Sequence, residues 1–225
     1  MVAKRSTGLR EPVWDAATRL FHWPLVLLIP FSWWSATNGH LPWHRMSGYA
    51  IMALLIFRLV WGFVGSQTAR FSGFVRGPRA VLQYVRGRGA PVVGHSPLGA
   101  LSVLAMLGAL VAQVTLGLFA VDEDGLEPGP LSKYLDFDTG RIVAKVHHLT
   151  FYVLLGLIVL HLLAIAIYEV RGKRLVGAMV TGKGALPDGV KQPRFASVWT
   201  ALAIALLAGA LAWFVAHGLR FTGPI

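Results

Sequence analysis

The residues with the clearest capacity for chemistry are three histidines in one long apolar segment. Between Lys145 and Val170 the chain is apolar enough to cross a bilayer, yet it contains His147, His148 and His161. A titratable ring at membrane depth is costly, so a histidine there is a candidate functional residue. The alternative is that each imidazole only makes a hydrogen bond between helices.

Helical spacing separates two of these histidines from the third. Residues 14 apart are rotated by about 1400°, roughly 40° short of whole turns, so His147 and His161 share one face with a rise of about 21 Å. His148 and His161 lie roughly 140° from each other and cannot line one surface. We therefore predict that His147 and His161 are the functional residues, each near one side of the membrane.

Composition identifies the class of protein. The chain has 225 residues, of which 55% are hydrophobic and 14% charged, and its mean hydropathy is +0.60. These values predict an all-α integral membrane helix bundle. The absence of cysteine excludes disulfides, Fe–S ligation and covalent c-type haem attachment by this chain. The formal charge of +11 lies mostly in loops between apolar segments, so we expect no nucleic acid partner.

Apolar segments and loop charges predict a topology. Five segments have the length of a membrane span, at about 20–37, 46–65, 98–121, 147–168 and 197–217. The N-terminus and the second and fourth loops hold 15 of the 21 basic residues, whereas the third loop is acidic, with Asp122, Glu123, Asp124, Glu127, Asp136 and Asp138. The positive-inside bias then predicts a cytoplasmic N-terminus and a C-terminus on the external side of the membrane.

With this topology, four histidines form two pairs at equal depth. We expect His22 and His161 to lie towards the cytoplasm, and His44 and His147 to lie towards the external side. Haem iron takes two axial ligands on opposite faces of its ring, and imidazole is a suitable ligand. We therefore predict two haems, one held by each pair. Arg58 follows His44 by 14 residues, so it lies on the same face near the cytoplasm; it either binds haem propionates or extends to the membrane surface.

Several motifs resemble those of the bacterial di-haem cytochrome b family, which includes the cytochrome b subunits of Ni–Fe hydrogenases. They are VWDAATRLFHW, HRMSG, GHSPLG and the 14-residue histidine spacing, and the resemblance covers roughly residues 11–172. It implies a multi-pass protein of the bacterial inner membrane, whose external side is the periplasm, with a four-helix di-haem domain over 1–175. The basic loop and the additional transmembrane helix over 176–225 are an extension whose role the family does not settle, and the C-terminus is expected to be periplasmic. By the same resemblance, the axial ligands of two b-type haems are His22, His44, His147 and His161, and Arg58 lies near the cytoplasmic haem.

The function implied is transmembrane electron transfer in a respiratory chain, between membrane quinone and a periplasmic redox protein such as a c-type cytochrome or a hydrogenase-like subunit. The acidic third loop either docks that partner or serves only topology and solubility. His95 either lines a quinone site or merely precedes a helix that begins at Pro97. The sequence does not decide whether the chain is itself a quinone oxidoreductase, a homodimer or a subunit of a larger complex.

Two other functions are compatible with parts of the pattern. The first is a membrane enzyme that oxidises superoxide and reduces quinone, for which Lys133, Arg141 and Lys145 would supply external cations. The second is a haem-free, histidine-lined transporter, which should have polar residues throughout its spans. The spans are apolar apart from Arg58, Gln113 and a few hydroxyl groups, so the pattern favours the cytochrome.

Overall fold

The computed structural model describes residues 11–88, 93–122, 124–186 and 190–220, and this part of the chain is mostly helical. In chain order the elements are β1 (Glu11–Pro12), α1 (Ala16–Thr37), α2 (Leu41–Val64), α3 (Phe71–Phe74), α4 (Pro78–Val85), α5 (Pro97–Phe119), a 3₁₀ turn (Ser132–Tyr134), α6 (Phe137–Val170), α7 (Leu175–Thr181), β2 (Lys183–Gly184) and α8 (Val198–Ala216). The two short strands pair antiparallel.

Four of the long helices, α2, α5, α6 and α8, are long and apolar enough to cross a membrane, within the part of the chain that the structure describes. They correspond to four of the five predicted spans. The first predicted span forms α1, a helix of 22 residues that contains Pro24 and Pro30. It is not among the candidate spans because its prolines, tryptophans, serines and His22 lower its mean hydropathy.

Helix α6 begins well before the predicted span at residue 147. Its cap is Asp136, whose carboxylate accepts hydrogen bonds from the backbone N–H and the hydroxyl of Thr139, at 2.9 and 2.6 Å. The 34 residues of α6 measure about 51 Å, more than the roughly 30 Å of a hydrocarbon core. Hydropathy detects only the apolar part of this helix, so it could not locate the polar first turns.

The loops fall into the two groups that the charge pattern predicts. At one end of the bundle the N-terminal segment, the second loop and the fourth loop meet. Thr68 Oγ1 donates to the carbonyl of Val13 (2.8 Å), and the backbone N–H of Gln67 donates to the carbonyl of Arg194 (2.9 Å). At the other end the start of α2, directly after the first loop, meets the third loop through an ion pair between Arg45 and Glu127. The structure thus groups the loops, while the side that faces the cytoplasm stays a prediction.

Helix packing leaves α6 apart from part of the bundle. Helix α2 packs along α1 and α8, and α6 packs along α5. In the described part of the chain, α6 makes few close backbone contacts with α1 or α2. One side-chain contact across this gap joins the rings of Trp33 and Phe151, with centres 5.7 Å apart. The histidines that were predicted to pair lie on opposite sides of the same gap.

Candidate functional site

The structure brings the rings of His44 and His147 close together. His44 lies in the first turn of α2 and His147 lies within α6. Their ring centres are 6.0 Å apart and the ring planes are nearly perpendicular, at 84°. Two metal–imidazole bonds of about 2 Å on opposite sides of one ion place ring centres roughly 6 Å apart. The spacing therefore suits two axial ligands of one metal.

Backbone carbonyls fix the protonation of both rings. Nδ1 of His44 lies 2.9 Å from the carbonyl oxygen of Ser32, and Nδ1 of His147 lies 2.9 Å from that of Gln113. A carbonyl oxygen only accepts hydrogen bonds, so each Nδ1 carries the proton and each Nε2 keeps its lone pair. This is the arrangement that orients a metal-ligating histidine and raises its basicity.

Helix α5 supplies no predicted ligand, but two of its residues lie against the ring of His147. The amide nitrogen of Gln113 lies 3.2 Å from Nε2 of His147, and the hydroxyl of Thr150 donates to the amide oxygen at 2.5 Å. One turn further on, a Cβ atom at Gly117 would lie 3.0 Å from Cε1 of the same ring. Sequence reasoning noted Gln113 only as a polar residue in an apolar span; that isolation was the available signal.

His148 faces away from this pair. It is exposed, and its Nε2 lies 3.2 Å from the hydroxyl of Tyr152, one turn along α6. The structure therefore supports the predicted register, in which His147 and not His148 faces the bundle.

The geometry of the pair predicted for the cytoplasmic side is less closely defined. His22 of α1 and His161 of α6 lie near enough to interact electrostatically. In the described structure Nδ1 of His22 is buried and has no hydrogen-bond partner. A buried polar atom without a partner is unfavourable, so this nitrogen is suited to a ligand.

Arg58 is buried near the same end of the bundle. Its side chain is only 3% exposed, so other parts of the chain cover the guanidinium and keep it from solvent. The guanidinium donates to the carbonyl of Ala69 (3.2 Å) and lies 5.2 Å from the ring centre of Phe71. The guanidinium also interacts with the charge of Asp15. Oδ2 of Asp15 accepts a hydrogen bond from Trp61 Nε1 at 3.3 Å.

His95 lies between two aromatic rings, with its ring centre 4.7 Å from that of Trp14 and 4.6 Å from that of Phe74. Its Nδ1 is buried and has no hydrogen-bond partner in the described part of the chain. Burial, assisted by the charges of Arg58 and His161, lowers the pKa of His95 to about 3. Helix α5 begins at Pro97 as predicted, with Ser96 as its cap, so His95 precedes the helix and also belongs to a buried cluster.

Two glycines close to the predicted ligands border open space. A Cβ atom added at Gly48, one turn after His44, or at Gly156, between His147 and His161, would meet no atom within 4 Å. Both glycines therefore border open space and not a closely packed helix. Among the described residues no three metal-ligating side chains come together; the histidines form pairs, as axial ligation of a porphyrin iron requires.

Most of the chain matches one known protein family. The family model for prokaryotic cytochrome b561 matches residues 13–182. The chain belongs to the prokaryotic cytochrome b561 family. The match includes the four histidines and ends before α8. Comparisons with curated proteins and with solved structures found no match.

Membership of the cytochrome b561 family establishes the general function. Proteins of this family bind b-type haem and transfer electrons across membranes. Together with the four candidate spans, it makes this cytochrome b561 a multi-pass membrane protein.

Proposed function

We propose that this cytochrome b561 transfers single electrons across the membrane through two b-type haems. His44 and His147 would hold the periplasmic haem, and His22 and His161 the cytoplasmic one. The observation that carries the proposal is the paired geometry of His44 and His147, whose Nδ1 protons both point to carbonyls. Each haem, when bound, supplies an iron that accepts and releases one electron.

The chain contributes ligation, orientation and charge. The carbonyls of Ser32 and Gln113 hold the two imidazoles proposed for the periplasmic side with Nε2 unprotonated. The amide nitrogen of Gln113 lies 3.2 Å from Nε2 of His147, so this amide would turn away when iron binds there. On the cytoplasmic side, the buried guanidinium of Arg58 has one carbonyl and one ring as neighbours, and its carboxylate neighbour Asp15 lies beyond ion-pair distance in the described structure. A buried cation requires anionic compensation, which haem propionates would provide.

We further propose that α1 is a fifth span and that the N-terminus is cytoplasmic. Near one end of α1 the Arg19 guanidinium donates to the carbonyl of Val180 (2.9 Å), and near its other end Ser32 contacts His44. The helix therefore runs alongside α2 between the two groups of loops. Its modest hydropathy is compatible with a helix that faces a haem and its neighbours more than lipid.

The redox partners that suit this arrangement are membrane quinone and a periplasmic redox protein. The third loop is the proposed docking surface, but several of its acids already have structural roles. Glu127 pairs with Arg45, Asp122 accepts from the N–H of Glu127 (3.0 Å), and Asp136 caps α6. Asp124 and Asp138 are exposed, so they are the carboxylates available for docking; Glu123 lies outside the described residues.

Docking by charge has a direct test. Replacing Asp124 and Asp138 by asparagine should slow electron transfer to a basic c-type cytochrome at low ionic strength and leave the rate at high salt unchanged. Equal rates for the variant and the original chain at low salt would show that the acids serve only topology and solubility.

The experiment that tests the main proposal is a redox difference spectrum with a haem-to-protein ratio. The protein purified from membranes should contain two b-type haems per chain, both reducible by dithionite. A preparation with one haem per chain, or with none, would refute the proposed arrangement.

A further inference from the structure

A cleft opens at the end of the bundle that carries the N-terminal segment. It lies between the second loop, the start of α5 and the fourth loop, and its volume is about 210 Å³. The polar residues that line it are Gln67, Thr68, Arg76, His95 and Lys191. Helix α2 ends at Val64 and α5 begins at Pro97, so the cleft lies where these two membrane spans leave the bilayer.

The charge of the cleft is positive. Arg76 and Lys191 line it, and no described lining residue is acidic. Arg76 donates one hydrogen bond, to the carbonyl of Gly73 at 3.1 Å, which leaves most of its five N–H groups for a ligand. Two cations from different loops, facing one cavity that lacks a described carboxylate, suit an anion with several oxygen atoms.

The inner wall supplies a polar atom and apolar surface. Nδ1 of His95 is buried and lacks a hydrogen-bond partner among the described residues. Phe74, Pro97 and Val190 form apolar parts of the lining. A ligand with a phosphate at one end and hydrocarbon at the other would match both the cationic and the apolar sides.

We propose that this cleft binds the phosphate group of an anionic phospholipid, with Arg76 and Lys191 as its charge partners. A free phosphate shares the same chemistry, but the apolar wall and the position at the ends of two spans favour the lipid. None of the residues that line the cleft is a proposed haem ligand. His95 on its inner wall interacts electrostatically with Arg58 and with the proposed ligand His161, so the haem signal is measured alongside lipid retention.

Native mass spectrometry of the haem-loaded protein in detergent tests the proposal. The probes are phosphatidylglycerol, phosphatidylcholine and inorganic phosphate, each added alone. Phosphatidylglycerol should remain bound, phosphatidylcholine should not, and phosphate at the same concentration should not. The double variant Arg76→Gln/Lys191→Gln should weaken retention of phosphatidylglycerol by at least about tenfold, since each basic residue near a membrane surface contributes on the order of 1 kcal/mol.

The matched control is Arg86→Gln/Arg88→Gln, which removes the same charge from exposed positions just after α4 that do not line the cleft. It should change retention by less than about twofold, and both variants should keep the haem spectrum of the original protein. Equal loss in the two variants would overturn the proposal, because it would indicate diffuse surface attraction. Equal retention of phosphatidylcholine, or tight binding of inorganic phosphate, would also overturn the assignment to an anionic lipid.

Discussion

Nδ1 of His147 lies 2.9 Å from the carbonyl oxygen of Gln113, on a neighbouring helix that supplies no proposed haem ligand. Helix α5 thereby determines which nitrogen of His147 is protonated. Because the acceptor is a main-chain atom, side-chain substitutions at residue 113 do not remove it. Position 117, one turn further along α5, limits where the ring can lie.

Gly117→Ala should disturb the periplasmic haem without unfolding the protein. The added Cβ atom would lie 3.0 Å from Cε1 of His147, so the ring must move by a few tenths of an ångström, while alanine favours the helix by up to about 1 kcal/mol. We expect a shift in the midpoint potential of one haem or a loss of its occupancy, measured by spectroscopic redox titration.

Gly209→Ala in α8 is the matched control, since a Cβ atom there would meet nothing within 4 Å. It should preserve both haem signals. If the two variants gave identical titrations, the contact between Gly117 and His147 would not restrict the ligand.

His147→Ala and His161→Ala should each remove one haem, and His148→Ala should remove none. Each of the first two substitutions deletes a proposed axial ligand of a different pair, whereas His148 is exposed and contacts Tyr152. The measurement is the haem-to-protein ratio, expected to fall from about two to about one. A greater loss with His148→Ala would show that the proposed register of α6 is wrong.

Helical periodicity accounts for what the sequence predicted well. The spacing of His147 and His161 requires only that both lie on one continuous helix, and α6 provides this. Hydropathy likewise located four of the five segments as candidate spans. Loop charges assigned the loops to the same two ends of the bundle as the structure does. Each loop carries its own excess of basic or acidic residues, so each can be assigned without the others.

Contacts between distant parts of the chain were beyond sequence reasoning. The environment of His95 comes from Trp14 in the N-terminal segment and Phe74 in the second loop. The burial of Arg58 depends on the second loop folding back so that Ala69 and Phe71 cover its guanidinium. Neither contact produces a periodic pattern in the sequence. The acceptors of the histidine Nδ1 protons are backbone carbonyls, which every residue has, so the sequence does not identify them.

Arg58→Met should lower the midpoint potential of the cytoplasmic haem. A nearby positive charge disfavours the ferric state, which carries one more positive charge than the ferrous state, so its removal stabilises the oxidised haem. At a low effective dielectric the shift should be on the order of tens of millivolts. Redox titration should show this shift in one haem only.

Arg58→Lys is the control for charge, because it keeps the cation and loses the planar guanidinium. It should retain most of the original potential. A shift as large in the lysine variant as in the methionine variant would indicate that packing against Ala69 and Phe71, and not charge, sets the potential.

His95→Gln should make the stability of the protein less sensitive to acid. The folded-state pKa of His95 is lowered from 6.5 to about 3, chiefly by burial and further by Arg58 of α2 and His161 of α6, while Arg76 and Lys191 line the adjacent cleft. Between these two values the unfolded chain binds a proton that the folded chain does not, so the free energy of unfolding decreases as the pH falls from 6.5 towards 3. One such proton contributes at most about 1.4 kcal/mol per pH unit. Thermal melting at pH 7.5 and pH 5 should therefore show a smaller loss for the variant than for the original chain, whereas equal losses would mean that His95 becomes protonated without unfolding.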